Sequence, residues 1–257
     1  MKAGLVSVTF RALPWERVLE TAAACGLEGV EWGGDVHVPC GDLTRARQVG
    51  NATRALGLQT VCYGSYCRLT DEECSDEQLT ALAETAGTLG APLIRVWAGR
   101  RGSAEATEAQ RAEIVRNAQR LARIAESAGL EAAFEYHGGT LTDVAASARR
   151  LLEAVDRKNV GCMWQPPVGM RIGDCCRSIR EVAEYVRNVH VFSWSGEPVE
   201  RFALAAGAAK WRTCLEEIAR LPGDRWLLLE FVRGDAPEHL AEDAATLKRW
   251  LRGEWDE

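Results

Sequence analysis

The sequence predicts a (β/α)8 barrel, and three observations lead there. Along 257 residues, eight short runs rich in β-branched and aromatic residues alternate with eight longer stretches of helical periodicity. The short runs are apolar nearly throughout, the pattern of parallel strands covered on both faces. Several helical stretches stop at a glycine just before the next strand, at Gly26, Gly57, Gly90 and Gly129, as helices ending in a left-handed residue do. A chain of about 250 residues is the usual size for such a barrel, and residues 1–257 read as one domain.

The elements follow in order. AGLVSVTF (3–10) is the first strand-like run, and PWERVLETAAACG (14–26) the first helical stretch. GVEWGG (29–34) precedes LTRARQVGNATRALG (43–57), and LQTVCYGS (58–65) precedes DEQLTALAETAGTLG (76–90). LIRVWAG (93–99) leads into EAQRAEIVRNAQRLARIAESAG (108–129). EAAFEYHGG (131–139) and DVAASARRLLEAVD (143–156) form the fifth pair, with Gly138–Gly139 as a sharp strand-to-helix turn. The last three pairs are VGCMWQP (160–166) with CCRSIREVAEYVR (175–187), NVHVFSW (188–194) with AKWRTCLEEIARLP (209–222), and WLLLEFV (226–232) with APEHLAEDAATLKRWLRG (236–253). Each helical stretch carries apolar residues at i, i+3, i+4 and i+7, one stripe to lay on a barrel. A doubly wound open sheet is the alternative, but no Gly-x-Gly-x-x-Gly follows the first strand.

Hydrophobic residues make up 47% and charged residues 26%, with a net charge of −6 and both signs interspersed. Without a basic stripe, nucleic acid is not an expected partner. No segment approaches a membrane span, and the apolar run at the N-terminus is too short for a signal peptide. Nine cysteines, an odd number, lie mostly within apolar runs, which fits reduced, packed thiols in a cytoplasmic protein. None has the paired C-x2-C spacing of a zinc site. Trp15 and Trp211 are candidate subunit contacts, so a homo-oligomer is open.

Chemistry in such a barrel sits at the C-terminal ends of the strands. There lie Glu31 and Trp32, then His37, Tyr63, Tyr66, Arg95, Trp97, Glu135, His137, Trp164, Gln165, His190, Trp194, Glu230 and Arg233. Two buried carboxylates facing one axis, Glu135 and Glu230, repel unless a cation lies between them. With the imidazole of His190 and the amide of Gln165 they make a set suited to Mn2+ or Mg2+ ahead of Zn2+ or Co2+. The competing arrangement pairs these carboxylates with Arg95 and Arg233. Trp32, Trp97, Trp164 and Trp194 either wall a sugar site or cap the core. Tyr63 is a further candidate substrate contact; His37 touches substrate or fixes its loop; His137 binds substrate or orients Glu135. Arg100–Arg101 reads as a solvated pair rather than a phosphate site.

Together, GVEWGGDVHVP, AFEYHGGT, VGCMWQPP, NVHVFSW and LLLEFV resemble the xylose-isomerase-like TIM-barrel superfamily, in its sugar phosphate isomerase/epimerase branch. The resemblance spans all eight repeats. It implies one divalent metal on Glu135, Gln165, His190 and Glu230. Gln165 stands where the family usually has Asp, which lowers the ligand charge and implies weaker metal binding. It further implies a metal-dependent sugar isomerase or epimerase working by proton abstraction next to a carbonyl, with Glu135 and Glu230 moving the proton. His37, His137 and Arg233 would hold hydroxyls or a terminal phosphate of the carbohydrate. A hydride shift is the lesser expectation, since neither Lys158 nor Lys210 lies at a strand end. A sugar-acid or inosose-type dehydratase with the same metal site, and a metal-free sugar-binding barrel, are the alternatives. An endonuclease of the same superfamily fits poorly with an acidic chain holding four histidines.

Overall fold

A computed structural model describes residues 1–196 and 198–255. Eight parallel strands close in sequence order into a barrel, β1 pairing with β8. They are β1 Lys2–Val6, β2 Gly29–Gly33, β3 Gln59–Gly64, β4 Leu93–Val96, β5 Glu131–Glu135, β6 Val160–Trp164, β7 Val186–Val191 and β8 Trp226–Leu229. The helices are α1 Trp15–Ala24, α2 Leu43–Ala55, α3 Asp76–Leu89, α4 Glu108–Ser127, α5 Ala145–Val155, α6 Ile172–Glu181, α7 Ala208–Ala219 and α8 Leu240–Leu251.

Local chemistry sets these boundaries. At α3, Ser75 and Gln78 cap each other's backbone reciprocally, and Thr107 and Gln110 do so at α4, which satisfies N–H groups that have no partner in the first turn. Gly90 closes α3 at φ +82°, a conformation costly for any residue with a Cβ. The strands are shorter than the sequence runs. Residues 7–10 form a 3-10 turn rather than more of β1, and β4 ends at Val96. Beyond it the backbone pairs with a loop, Trp97 N–H to Cys67 O at 2.8 Å and Gly99 N–H to Arg68 O at 2.9 Å. The apolar character runs on past the sheet because the barrel mouth is lined as well as the wall.

Strand alternation divides the side chains into two sets. Val6, Cys62, Leu93, Ala133, Met163 and Leu228 belong to a compact cluster of their own, and Cys62 of β3 meets Met163 of β6 at 3.8 Å. Contact between strands that far apart in the order requires both to point inward, so this cluster plugs the barrel axis. The opposite faces, with Trp32, Tyr63, Phe134, Trp164 and Val189, join the larger core under the helices. Trp211, a candidate subunit contact by sequence, belongs to that core: it is buried, with its indole N–H on Phe192 O at 2.7 Å. Trp15 also packs against it, partly buried. All nine cysteines are free and seven are buried. Among the described residues no helix is long and apolar enough to cross a membrane.

Candidate active site

The site follows from the parity of the plug. Two residues beyond Leu93, Ala133, Met163 and Leu228 come Arg95, Glu135, Gln165 and Glu230, which therefore also point inward, one layer nearer the mouth. Glu31 of β2 and His190 of β7 complete the layer. All six are buried. Arg95 lies between two carboxylates, its Nε donating to Glu31 Oε1 at 2.6 Å and its Nη1 to Glu135 Oε2. Gly64 makes room for it, since a Cβ there would come within 2.5 Å of Arg95 Nη2 and 2.9 Å of Glu31 Oε1. Glu135 accepts two more hydrogen bonds, from Trp97 Nε1 at 2.5 Å and Gln165 Nε2 at 3.3 Å.

His190 is held from behind. Its Nε2 meets Glu31 Oε2 at 3.0 Å, so Nδ1 faces Gln165 Oε1 at 3.2 Å, Glu230 Oε2 at 3.6 Å and Glu135 Oε1 at 3.8 Å. A carboxylate behind an imidazole in this way fixes the ring and raises the basicity of the opposite nitrogen. One atom each from Glu135, His190 and Glu230 lie within 4.8 Å of one another, a spacing that a single cation can bridge. Glu230 differs from the other carboxylates. Among the described residues no side chain or backbone group donates a hydrogen bond to it, and His190 at 3.6 Å is its nearest ionic partner.

The charges of this layer show what it lacks. Arg95 contributes one positive charge and Glu31, Glu135 and Glu230 three negative ones, so with neutral His190 two positive charges are missing. Protons fill the gap in the protein alone. Burial would lower His190, yet Glu230 and Glu31 lift it to about 9. Burial, reinforced by Glu135, pushes Glu230 up to about 7. Burial works the same way on Glu31, but Arg95 and His190 outweigh it and hold that carboxyl at about 2. Glu135 is likewise held below its ordinary value, Arg95 and His190 overcoming burial. One divalent cation supplies the same two charges as two protons, without leaving carboxylates to repel each other in a dry interior. The donor set therefore fits such an ion.

Of the residues singled out by sequence, Glu135, Gln165, His190 and Glu230 converge. Arg95, which the sequence offered as a competing salt-bridge partner, pairs with Glu135 inside the same layer rather than in place of it. His137 and Trp194 lie at the mouth. His137 stacks on Trp97 with centroids 4.4 Å apart, and Trp194 stacks on Phe192 at 4.1 Å.

Four of the expected substrate contacts are not brought into this layer. Trp32 faces outward and bonds Thr53 on α2 through its indole N–H at 3.2 Å. Tyr63 also faces outward, its hydroxyl on Val38 O at 3.1 Å. His37 is spent on the loop after β1, on Ser7 Oγ at 2.9 Å and Leu13 O at 3.1 Å, and burial lowers its pKa. Arg233 turns to Glu242 at 3.6 Å, both half exposed. Trp164, a candidate for the aromatic wall, is buried against α6, with its indole N–H on Ser178 Oγ at 3.0 Å. Glu31 is the residue whose part in the cluster was missed. No alternation in its strand, buried throughout, signalled that Glu31 rather than Trp32 faces the axis.

Fold and site together place the chain among known proteins. The sequence profile of the xylose isomerase-like TIM barrel family matches residues 19–252, and the chain belongs to that family. A 3-dehydroshikimate dehydratase from Bacillus anthracis is 26% identical over 167 residues, which is 62% of this chain and 60% of that protein. The match thus spans less than two thirds of the relative's length. The crystal structure of the probable 3-DHS dehydratase AsbF from the same organism superposes with a TM-score of 0.82 at 20% identity, covering 96% of this chain and 99% of that one. The 3-keto-D-glucoside 4-epimerase YcjR from E. coli superposes with a TM-score of 0.75 at 17% identity, covering 98% and 99%. At those identities the structural likeness is one of fold.

Proposed function

We propose that this protein is a divalent-metal-dependent dehydratase of a polyhydroxylated ketone acid, with 3-dehydroshikimate as the first substrate to try. Glu135, His190 and Glu230, with Gln165, would hold the metal. Bound there, a divalent ion polarises the ketone and makes the neighbouring C–H acidic. Mn2+ or Mg2+ suits this oxygen-rich set better than Zn2+ or Co2+.

The observation that carries the reading is the inequality of the two glutamates. Glu135 is saturated by Arg95, Trp97 and Gln165 and held as a weak base. Among the described residues nothing donates a hydrogen bond to Glu230, and a buried carboxylate left unsaturated in this way suits acid–base work better than Glu135 does. Epimerisation by two opposed bases needs a second free group on the other face of the carbon. Elimination on one face does not. Glu230 takes the proton next to the ketone, and the electron pair of that C–H bond forms the new C=C bond as the β-hydroxyl departs. Glu230 then returns the proton to the leaving oxygen, so that water is released and the carboxylate is regenerated. The dehydratase relative supports this reading. An isomerase or epimerase is the second reading, favoured by the likeness to YcjR, and it shares the first proton transfer.

The test incubates the protein with Mn2+ and either 3-dehydroshikimate or a panel of ketoses, in deuterated water. Loss of water from the ketone acid, with appearance of the aromatic product, is expected. Epimerised ketoses carrying solvent deuterium, with the ketone acid unchanged, would establish the second reading instead.

A further inference from the structure

Several of the arginines in the loops that follow the strands have a carboxylate partner. Arg11 is paired with Asp35, Arg100 with Glu73 and Arg201 with Asp235. Arg68 has none. Among the described residues its guanidinium has neither an ion pair nor a hydrogen bond. It lies over the Trp97 ring, with Cζ 4.2 Å from the centroid. With no hydrogen bond made by the guanidinium among the described residues, its N–H groups are left for a carboxylate, which an arginine can hold in bidentate fashion.

The loop is built to hold it there. Arg68 donates its backbone N–H to Glu73 Oε2 at 2.7 Å and accepts from Gly99 N–H at 2.9 Å. The residues at 66 and 69, Tyr66 at φ +60° and Leu69 at φ +55°, both adopt the left-handed conformation that non-glycine residues avoid. Such strain persists where the surroundings impose one geometry, and it collects at ligand sites. Trp97, the floor of the stack, in turn donates its indole N–H to Glu135 at 2.5 Å. A free cation is thus tied through one rigid ring to the cluster of Glu135, His190 and Glu230.

We propose that Arg68 receives the carboxylate of the substrate and so makes this barrel selective for ketone acids over neutral sugars. This rests on the proposed dehydratase reading for the substrate class. The test of Arg68 reads binding alone, so that the two can fail separately. Calorimetric titrations of the Mn2+-loaded protein would compare 3,4-dihydroxybenzoate, the product that loss of water from 3-dehydroshikimate leaves, with its neutral amide and with inorganic phosphate.

The wild type is expected to prefer acid to amide by about 10- to 100-fold, the range of a hydrogen bond to a charged group. Arg68→Met, which keeps the stem on Trp97, is expected to erase that preference by weakening the acid and sparing the amide. Arg68→Lys is expected to restore part of it. Failure of the wild type to bind the acid, unchanged acid binding in Arg68→Met, or equal loss of acid and amide would each overturn the inference. Tighter Arg68-dependent binding of phosphate than of the acid would overturn the carboxylate assignment. A wild type that binds the acid through Arg68 yet does not dehydrate 3-dehydroshikimate removes the dehydratase reading and leaves this one standing.

Discussion

Replacing Arg95 by Met tests whether the buried layer is an electrostatic unit. Arg95 is 1% exposed and touches Glu31 and Glu135, 0% and 3% exposed. Methionine fills similar space without charge and takes from both carboxylates their guanidinium partner, leaving Glu31 hydrogen-bonded to His190 and Glu135 to Trp97 and Gln165. Removing one partner of a buried pair costs about 3–5 kcal/mol. The Glu31 carboxyl gives an independent scale. It lies at about 2 against an ordinary 4.5, equivalent to about 3 kcal/mol of native preference for the ionised form. For a protein of this size such a loss lowers the melting temperature by about 6–20 °C.

The pH dependence has a definite sign. A depressed carboxyl contributes stability that is whole above its unfolded value of 4.5 and lost as pH falls through about 2. The gap between wild type and variant is therefore full at pH 7 and shrinks in acid. Thermal melts by circular dichroism, in chelator so that no cation compensates, would measure it. Adding Glu31→Gln should recover part of the loss. A drop under about 1 kcal/mol at pH 7, or one that does not shrink in acid, would refute the reasoning.

Three further predictions concern the chemistry. Glu230→Gln is expected to lower kcat by about 100- to 10,000-fold, as loss of a general base does, while the metal-free protein melts no lower than wild type, because burial opposes the ionised form. A parallel collapse of the fold would mean that Glu230 is structural. Chelation is expected to remove one divalent ion per chain and the activity with it, and Gln165→Glu, by adding a negative ligand, to tighten that ion by about tenfold or more. Elemental analysis before and after chelator, with competition titrations of the variant, checks both, and metal binding unaffected by the substitution would place Gln165 outside the ligand set.

Much of the molecule is legible in the sequence alone. Glycine stops, helical stripes and apolar runs are local signals, and they specify eight repeats in order. Glu135 and Glu230 also stand out, since a charge at the end of an apolar strand demands a partner. The strand signal has a blind side, however. Strands covered on both faces carry no alternation in hydrophobicity, so nothing in GVEWGG by itself says that Glu31 faces the axis and Trp32 the helices, and Tyr63 misleads for the same reason. His37 is captured by Ser7 and Leu13, 30 and 24 residues away, and Arg95 bridges to Glu31 across 64 residues. The sequence by itself determined the barrel and the strand ends where chemistry gathers. Closure of the sheet decided which of two adjacent side chains points inward, and with that which charges meet, because inward direction is a property of register around the ring and not of any one strand.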